Sequence, residues 1–307
     1  MSSEKKHRKP KWHQTKKGIA IALIFFGCLF ALITFTGGNF KGKVNDVSIP
    51  AVSAQGLHVD MKPKDDFSES HLQQTYAEKI REAQLQKQRQ RQAKKDKRDK
   101  AIYLTFDDGP SQVAGELLNI LDQFDAKATF FMLGPHIKEY PDVVKRMTEK
   151  GHAVGSHGIT HDAHLFYQSP KAPVKEMTED QQTIADVTGV HSQLVRVPYG
   201  SIPYLTDPMR NQLSLKNFKV WDWNIDSRDW EFMSSKYVGY TISQIVHAEQ
   251  SGETPIVLLH DKPETIKYLP GLLKYLKTNS YQTKILTNDM APYTFRCEGR
   301  CYPINGR

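Results

Sequence analysis

The chain is predicted to be an α/β protein, a distorted barrel of (β/α)7 type, on three observations. From Ala101 onward, short runs rich in β-branched and aromatic residues alternate with longer runs of helical spacing. Seven strand-like runs separated by helices imply one parallel sheet, with six right-handed crossovers. The unusual polar residues cluster where those strand-like runs end: Asp107, Asp108, His157, Arg196, Asp226, Asp229 and His260. The C-terminal ends of barrel strands are where such folds carry their chemistry.

The elements follow in order. AIYLTF leads into SQVAGELLNILDQF, and KATFFML into EYPDVVKRMTEKG. HAVGSH is followed, after a loop, by PVKEMTEDQQTIADVTG, and QLVRVPYG by PYLTDPMRNQLSLKN. KVWDWNID precedes YVGYTISQIVHAEQSG, TPIVLLHD precedes TIKYLPGLLKYLKTN, and QTKILT closes the set. Gly151, Gly189 and Gly252 stand where helices stop, as C-terminal glycines do. The stretch 101–290 suits a barrel with fewer than the usual eight βα units.

The front of the chain is a different material. The 307 residues hold 42 Lys+Arg and 34 Asp+Glu, a net charge of +8. Residues 1–100 carry 21 of those cations and only 10 of the anions, so the basic character does not belong to the barrel. Residues 1–17 form a basic segment, with Lys5, Lys6, Arg8, Lys9, Lys11, Lys16 and Lys17. Residues 18–38 are uncharged, about the length a bilayer core requires. They predict one transmembrane anchor with the N-terminus cytoplasmic and the remainder exported to the extracellular side of the cell membrane. The run exceeds the roughly 7–15 residues of a cleaved signal's apolar region, which favours an uncleaved anchor. Residues 39–100 read as a linker and charged stalk, helical or partly disordered, with no apolar stripe wide enough to pack on a core. Its basic end suits anionic lipid or anionic wall polymer, or is only a solubilising spacer. Export argues against nucleic acid as a partner. Residues 291–307 are a tail that either caps the barrel bottom or hangs free. Its Cys297 and Cys301 are two unrelated thiols or, outside the cytosol, a disulfide.

Two patterns carry chemistry by themselves. Asp107 and Asp108 are adjacent carboxylates at a strand end; they repel, and a cation compensates. The plainer account is that Asp108 or Ser111 caps the next helix. His157 and His161 stand at i, i+4, where one helical turn puts both imidazoles on one side, ready to grip a metal. The plainer account there is two polar residues in an exposed loop. One carboxylate from the first strand end would complete a two-histidine, one-carboxylate site with positions left open for water and substrate. His164 lies off that spacing.

TFDDGP, SHGITH, RVPYGS, DSRDW and IVLLHD, in this order, resemble the five motifs of the polysaccharide deacetylase family (carbohydrate esterase family 4), from about Ala101 to about Met290. The resemblance implies a hydrolase that removes the N-acetyl group of a cell-wall sugar. N-acetylglucosamine of peptidoglycan leads, with N-acetylmuramic acid or a chitin-like oligosaccharide next. It implies Asp107 as general base, with Arg196 pairing with it. Asp108, His157 and His161 would hold the metal, Zn2+ in most members, with Co2+ or Mn2+ as alternatives. The Tyr199 N–H would bind the oxyanion. Asp229 and Trp230 would tune the acid and wall the groove, with Asp226 competing for the tuning role. His260 would be the general acid. Leu258 would line the acetyl-methyl pocket, or Leu259 if the register differs by one. The chemistry requires each part: a polarised amide carbonyl, a base for water, a donor for the oxyanion and an acid for the leaving amine. A non-catalytic wall-binding protein built on the same barrel is the reading from another class. A hydrolase of a small cyclic ureide is disfavoured by the anchor.

Overall fold

The computed structural model describes residues 66–305, all within the unit Pro63–Arg307. The basic segment 1–17, the expected anchor 18–38 and the linker up to residue 65 lie outside the described residues. Among the described residues no helix is long and apolar enough to cross a membrane. The described residues form eight strands: β1 (Ala101–Asp107), β2 (Thr129–Leu133), β3 (Ala153–Gly158), β4 (Leu194–Val195), β5 (Lys219–Val220), β6 (Ile225–Asp226), β7 (Ile256–His260) and β8 (Gln282–Lys284). The helices are α1 (Asp66–Asp99), α2 (Ala114–Gln123), α3 (Gly134–Glu139), α4 (Pro141–Glu149), α5 (Ala163–Phe166), α6 (Ala172–Thr188), α7 (Asp207–Leu215), α8 (Asp229–Phe232), α9 (Lys236–Gln250) and α10 (Pro263–Thr278).

All pairings are parallel, in the order β5-β4-β3-β2-β1-β7-β6, with β8 added to the first three residues of β1. β1 is the hub, and each of its seven residues is buried. Alternation along it separates two environments. Ile102, Leu104 and Phe106 enter the large apolar cluster shared with α2, α9 and α10. Tyr103 joins a second cluster with Phe131, Leu194, Trp221 and Ile256. Thr105 and Asp107 continue that second face toward the rim. At the outer end of α6, Gly189 adopts φ 72° and its N–H bonds Ala185 O, which closes the helix.

Two expectations are corrected here. The run KVWDWNID is not one strand: it splits into β5 and β6, which lie at opposite edges of the sheet. Trp221 N–H still donates to Val195 O (2.8 Å), and Asn224 N–H already donates to Ile256 O (3.2 Å). Residues 221–224 therefore cross between the edges, and the barrel is closed there by covalent chain and not by a ladder. The tail neither hangs free nor simply caps the bottom. It runs along this strap: Asp222 N–H bonds Tyr293 O, Thr294 Oγ1 bonds Val220 O, and Phe295 N–H bonds the Asp222 carboxylate. Cys297 and Cys301 form a disulfide.

The stalk is helical, as one of the two expected forms, but its last turns are not simply solvated. Asp96 is buried and accepts hydrogen bonds from Tyr103 Oη (3.2 Å) and Gln92 Nε2 (2.8 Å). Lys284 Nζ reaches Asp99 at 2.6 Å, and Gln88 donates to Asp289 O. These contacts are polar, so hydrophobic spacing could not announce them.

β3 and β4 meet at a point with no room for a side chain. A Cβ on Gly155 would lie 2.8 Å from Leu194 O and 2.9 Å from a Phe131 ring carbon. Gly155→Ala is expected to lower the unfolding free energy by about 1–3 kcal/mol through overpacking, measurable as a lower urea midpoint against the parent chain.

Candidate active site

β1 ends in two carboxylates that the backbone sends apart. Asp107 keeps the strand's inward direction, whereas Asp108 takes φ 70° and turns toward β3. Arg196, fully buried just past β4, holds the first. Its Nη1 donates to Asp107 Oδ1 (2.8 Å) and Thr105 Oγ1 (2.6 Å), its Nε to Trp221 O (3.1 Å) and its Nη2 to Asp222 O (3.1 Å). The guanidinium also lies over the Phe131 ring. Each of its nitrogens thus has a partner, which a buried cation needs.

Asp108 faces two histidines. His157 Nε2 lies 3.5 Å and His161 Nε2 3.4 Å from Asp108 Oδ1, and the three ligand atoms are within 4.8 Å of one another. Asp108 Oδ1 is buried without a hydrogen-bond partner. His157 Nδ1 is bonded to Arg196 O (2.7 Å), which makes Nδ1 the protonated nitrogen and leaves the Nε2 lone pair facing Asp108. Each imidazole nitrogen stands from the carboxylate oxygen at close to the roughly 3.3–3.5 Å that ~2.0–2.1 Å bonds to one tetrahedral ion would require, and the set suits a divalent metal. Burial opposes ionisation of Asp108, but the contact with His157 outweighs it and holds the carboxyl well below the usual range. Against its own burial, His157 is pushed up by Asp107 and Asp108.

The histidine pair converges for a reason other than the expected helical turn. His157 belongs to β3, and His161 sits in a loop at φ 48° after Gly158 at φ 96°. Glu176 of α6 accepts from the N–H groups of Ile159 and Thr160 (2.9 Å each), and Asp180 from those of His157 and Gly158 (3.1 Å each). An i, i+4 spacing signals proximity in a helix; here Gly158 and two α6 carboxylates produce it. His164 is exposed on α5 and outside the cluster. Neither Asp108 nor Ser111 caps α2: its N-cap is Val113 with no side-chain bond, and the Ser111 Oγ accepts from the Val113 N–H (3.1 Å) in the turn before the helix.

Opposite the histidines, β7 ends at His260, paired in register with Asp107. His260 Nδ1 lies 2.8 Å from Asp229 Oδ1, and its N–H donates to Asp229 Oδ2 (2.8 Å). Thr265 Oγ1 and the Trp230 N–H also donate to this buried carboxylate. Burial alone would lower the His260 pKa, but Asp229 raises it; burial alone would raise Asp229, but His260 and the other donors lower it. Asp226 accepts instead from Arg228 N–H (2.9 Å). Between the two aspartates left open by the sequence, Asp229 therefore contacts His260.

Asp107, Asp108, His157, His161, Asp226 and His260 line one cavity of ≈ 420 Å³ that also takes in Leu258, Tyr199 and Trp230. Leu259 packs into the main core, so Leu258 is the leucine at the cavity. Tyr199 sits at φ 64° with its hydroxyl donating to His161 O (2.9 Å), and Trp230 is about half exposed at 47%. Trp223 and Lys262 line the cavity too and escaped the sequence reading. Trp223 belongs to the strap, where a continuous strand was expected; Lys262, two residues past His260, carried no signal beyond that proximity. Asp222, also missed, is fully buried and accepts from Ser201 N–H (2.9 Å) and Phe295 N–H (2.6 Å). It ties the loop carrying Tyr199 to the tail.

Comparison with known proteins agrees with this geometry. The family model described as polysaccharide deacetylase matches residues 94–219. The chain is 44% identical over 189 residues to a peptidoglycan-N-acetylglucosamine deacetylase of Bacillus cereus, covering 61% of this chain and 69% of that one. It is 32% identical over 189 residues to the peptidoglycan-N-acetylmuramic acid deacetylase PdaC of Bacillus subtilis, covering 61% of this chain and 38% of that one. The crystal structure of the polysaccharide deacetylase Bc1974 from Bacillus cereus superposes with a TM-score of 0.57 at 40% identity, covering 65% of this chain and 98% of that one.

The donor set makes a direct test available. Zinc-loaded full-length protein carrying His157→Ala is expected to hold far less than one equivalent of metal after gel filtration, and Asp107→Asn to hold as much as the parent, both read by elemental analysis.

Proposed function

The chain belongs to the polysaccharide deacetylase family, and on that premise we propose that it hydrolyses the N-acetyl group of N-acetylglucosamine in peptidoglycan, releasing acetate. The observation that carries this reading is the convergence on one cavity of a base held by an arginine, a metal-type donor set and a histidine held by a carboxylate. The relative named for N-acetylglucosamine is 44% identical and the one named for N-acetylmuramic acid 32%, which favours the first sugar. A non-catalytic wall-binding protein would have no use for the complete set. The reading includes export, with residues 18–38 as membrane anchor and the catalytic unit outside the cell.

Asp108, His157 and His161 would hold the metal, zinc in this proposal. When bound, a divalent cation there polarises the acetyl carbonyl and brings the pKa of a coordinated water toward neutral. Asp107, oriented by the Arg196 hydrogen bond, accepts the proton of the attacking water at its carboxylate. The Tyr199 N–H donates to the oxyanion. His260, kept protonated by Asp229, gives its proton to the leaving amine. Leu258 receives the acetyl methyl, and Trp230 offers an aromatic wall to the sugar.

Acetate release from purified peptidoglycan tests the reading. The full chain with zinc is expected to release acetate and Asp107→Asn to release none, while mass spectrometry of the digested wall identifies the deacetylated sugar. His260→Ala is expected to slow turnover by roughly 10²–10⁴-fold, the usual size of a general-acid contribution. No acetate from the parent chain with zinc, cobalt or manganese would sink the proposal.

The Asp229–His260 pair sets a pH dependence. Because Asp229 raises the histidine, the acid stays protonated to higher pH, and kcat/KM falls only as pH rises through that raised value. Asp229→Asn removes the charge, so the alkaline limb of the kcat/KM profile is expected to move to lower pH. The sign for stability is the same: the pair's contribution through His260 is complete below the unfolded imidazole value of about 6.5 and is lost as pH rises through the folded one. An alkaline limb that stays in place in Asp229→Asn would show that another group is the acid.

A further inference from the structure

Helix α1 presents two stripes set one residue apart. Gln88, Gln92, Asp96 and Asp99, at i, i+4, i+8 and i+11, face the barrel and bond to Asp289 O, Tyr103 Oη and Lys284 Nζ. Lys87, Arg91, Lys94, Lys95 and Arg98 share a neighbouring stripe, rotated by about 100° from the first. All five are exposed, and Arg98 also meets Asp99 at 3.0 Å. Arg89 and Lys97 are exposed on other faces of the same turns. From Ala83 to Arg98 the one carboxylate is Asp96, and it is buried against the barrel. Like charges at i, i+4 destabilise a helix, and here the domain has drawn the compensating anion inward.

We propose that the stripe Lys87, Arg91, Lys94, Lys95 and Arg98 is a docking surface for a linear phosphodiester polyanion of the cell surface. Its length, from residue 87 to 98, is about 17 Å at the helical rise of ~1.5 Å per residue. That is a line of charge, and charge complementarity favours a chain of anions lying along it. A helix seated in a lipid interface buries an apolar face beside its cations; here the exposed apolar residues Tyr76 and Ile80 lie N-terminal to the stripe, and the cations themselves are flanked by Ala83, Gln84 and Gln90. The surface is also remote from the chemistry. α1 leads into the N-terminal end of β1, whereas Asp107 ends it, roughly 20 Å away at ~3.3 Å per residue. A polymer held on α1 leaves the cavity open. The cell-surface source of the polymer rests on the proposed wall substrate; the stripe itself does not.

The test uses the full chain in neutral detergent micelles, titrated with linear polyphosphate at several salt concentrations. One variant carries Lys87→Gln, Arg91→Gln, Lys94→Gln, Lys95→Gln and Arg98→Gln; glutamine's helix propensity is close to that of Lys and Arg, so α1 is kept. A second carries glutamine at Lys5, Lys6, Arg8, Lys9 and Lys11, since that segment is basic too. The stripe variant is expected to flatten the slope of log K against log[salt] by about 3.5, at ~0.7 per contact, and the second variant to retain most of it. Acetate release from a soluble N-acetylated oligosaccharide is read in the same preparations. It is expected to be unchanged, so a failed deacetylase reading and a failed docking surface show separately. A stripe variant with parental affinity and slope would overturn the proposal. So would polyphosphate binding that persists in neutral-lipid nanodiscs and vanishes in anionic ones, because the bilayer would then be the occupant.

Discussion

The site depends on where one buried cation is placed. Taking a guanidinium out of water costs several kcal/mol unless its donors are all engaged, and Arg196 engages them with four acceptors from two parts of the molecule. Asp107 and Thr105 come from β1, and the carbonyls of Trp221 and Asp222 from the strap. Its own carbonyl accepts from His157 Nδ1. One residue therefore orients the carboxylate beside the cavity through its side chain and a histidine of the metal-type cluster through its backbone. A lysine could not do the same, because a single ammonium cannot reach four acceptors spread around a planar fork.

The same cation explains why the barrel is left open between β5 and β6. A continuous ladder through 219–226 would commit the carbonyls of Trp221 and Asp222 to a neighbouring strand. In the strap they turn to Arg196 instead, while Asp222 N–H and its carboxylate turn to the tail. The tail supplies the partners that the missing ladder would have supplied, consistent with the near absence of unpaired buried backbone groups in folded proteins. A C-terminal segment without any recognisable motif thus belongs to the framework of the loop that carries Arg196 and Tyr199.

What could be read from the sequence follows from which forces leave a local pattern. β1, β2 and β7 are buried on both faces and show as apolar runs, and β1 and β7 end in Asp107 and His260, so the parallel sheet and its polar rim were legible. β5 and β6 are two residues each, too short for any period. The His157–His161 convergence was found through a helical spacing that the backbone does not adopt; the positive φ of Gly158 and the grip of Glu176 and Asp180 are tertiary facts. Asp229 and Asp226 lie three residues apart with the same chemistry, and only the fold decides which one meets His260. The docking of α1 uses Gln, Asp and Tyr in place of aliphatic residues, so a search for an apolar stripe misses it.

Two ionisable pairs meet at the cavity. Arg196 Nη1 donates to Asp107 Oδ1, and Asp229 favours the charged form of His260. The cavity thus brings together a carboxylate held by an arginine and an imidazole whose charged form a second carboxylate favours. Asp107 and His260 are register partners on β1 and β7, so the spacing between these two side chains is set by a β-ladder and not by a loop. Their partners lie outside that ladder: Arg196 past β4, and Asp229 at the start of α8. The two side chains gain a rigid separation from the sheet, and each is held by a residue brought in by a different part of the chain.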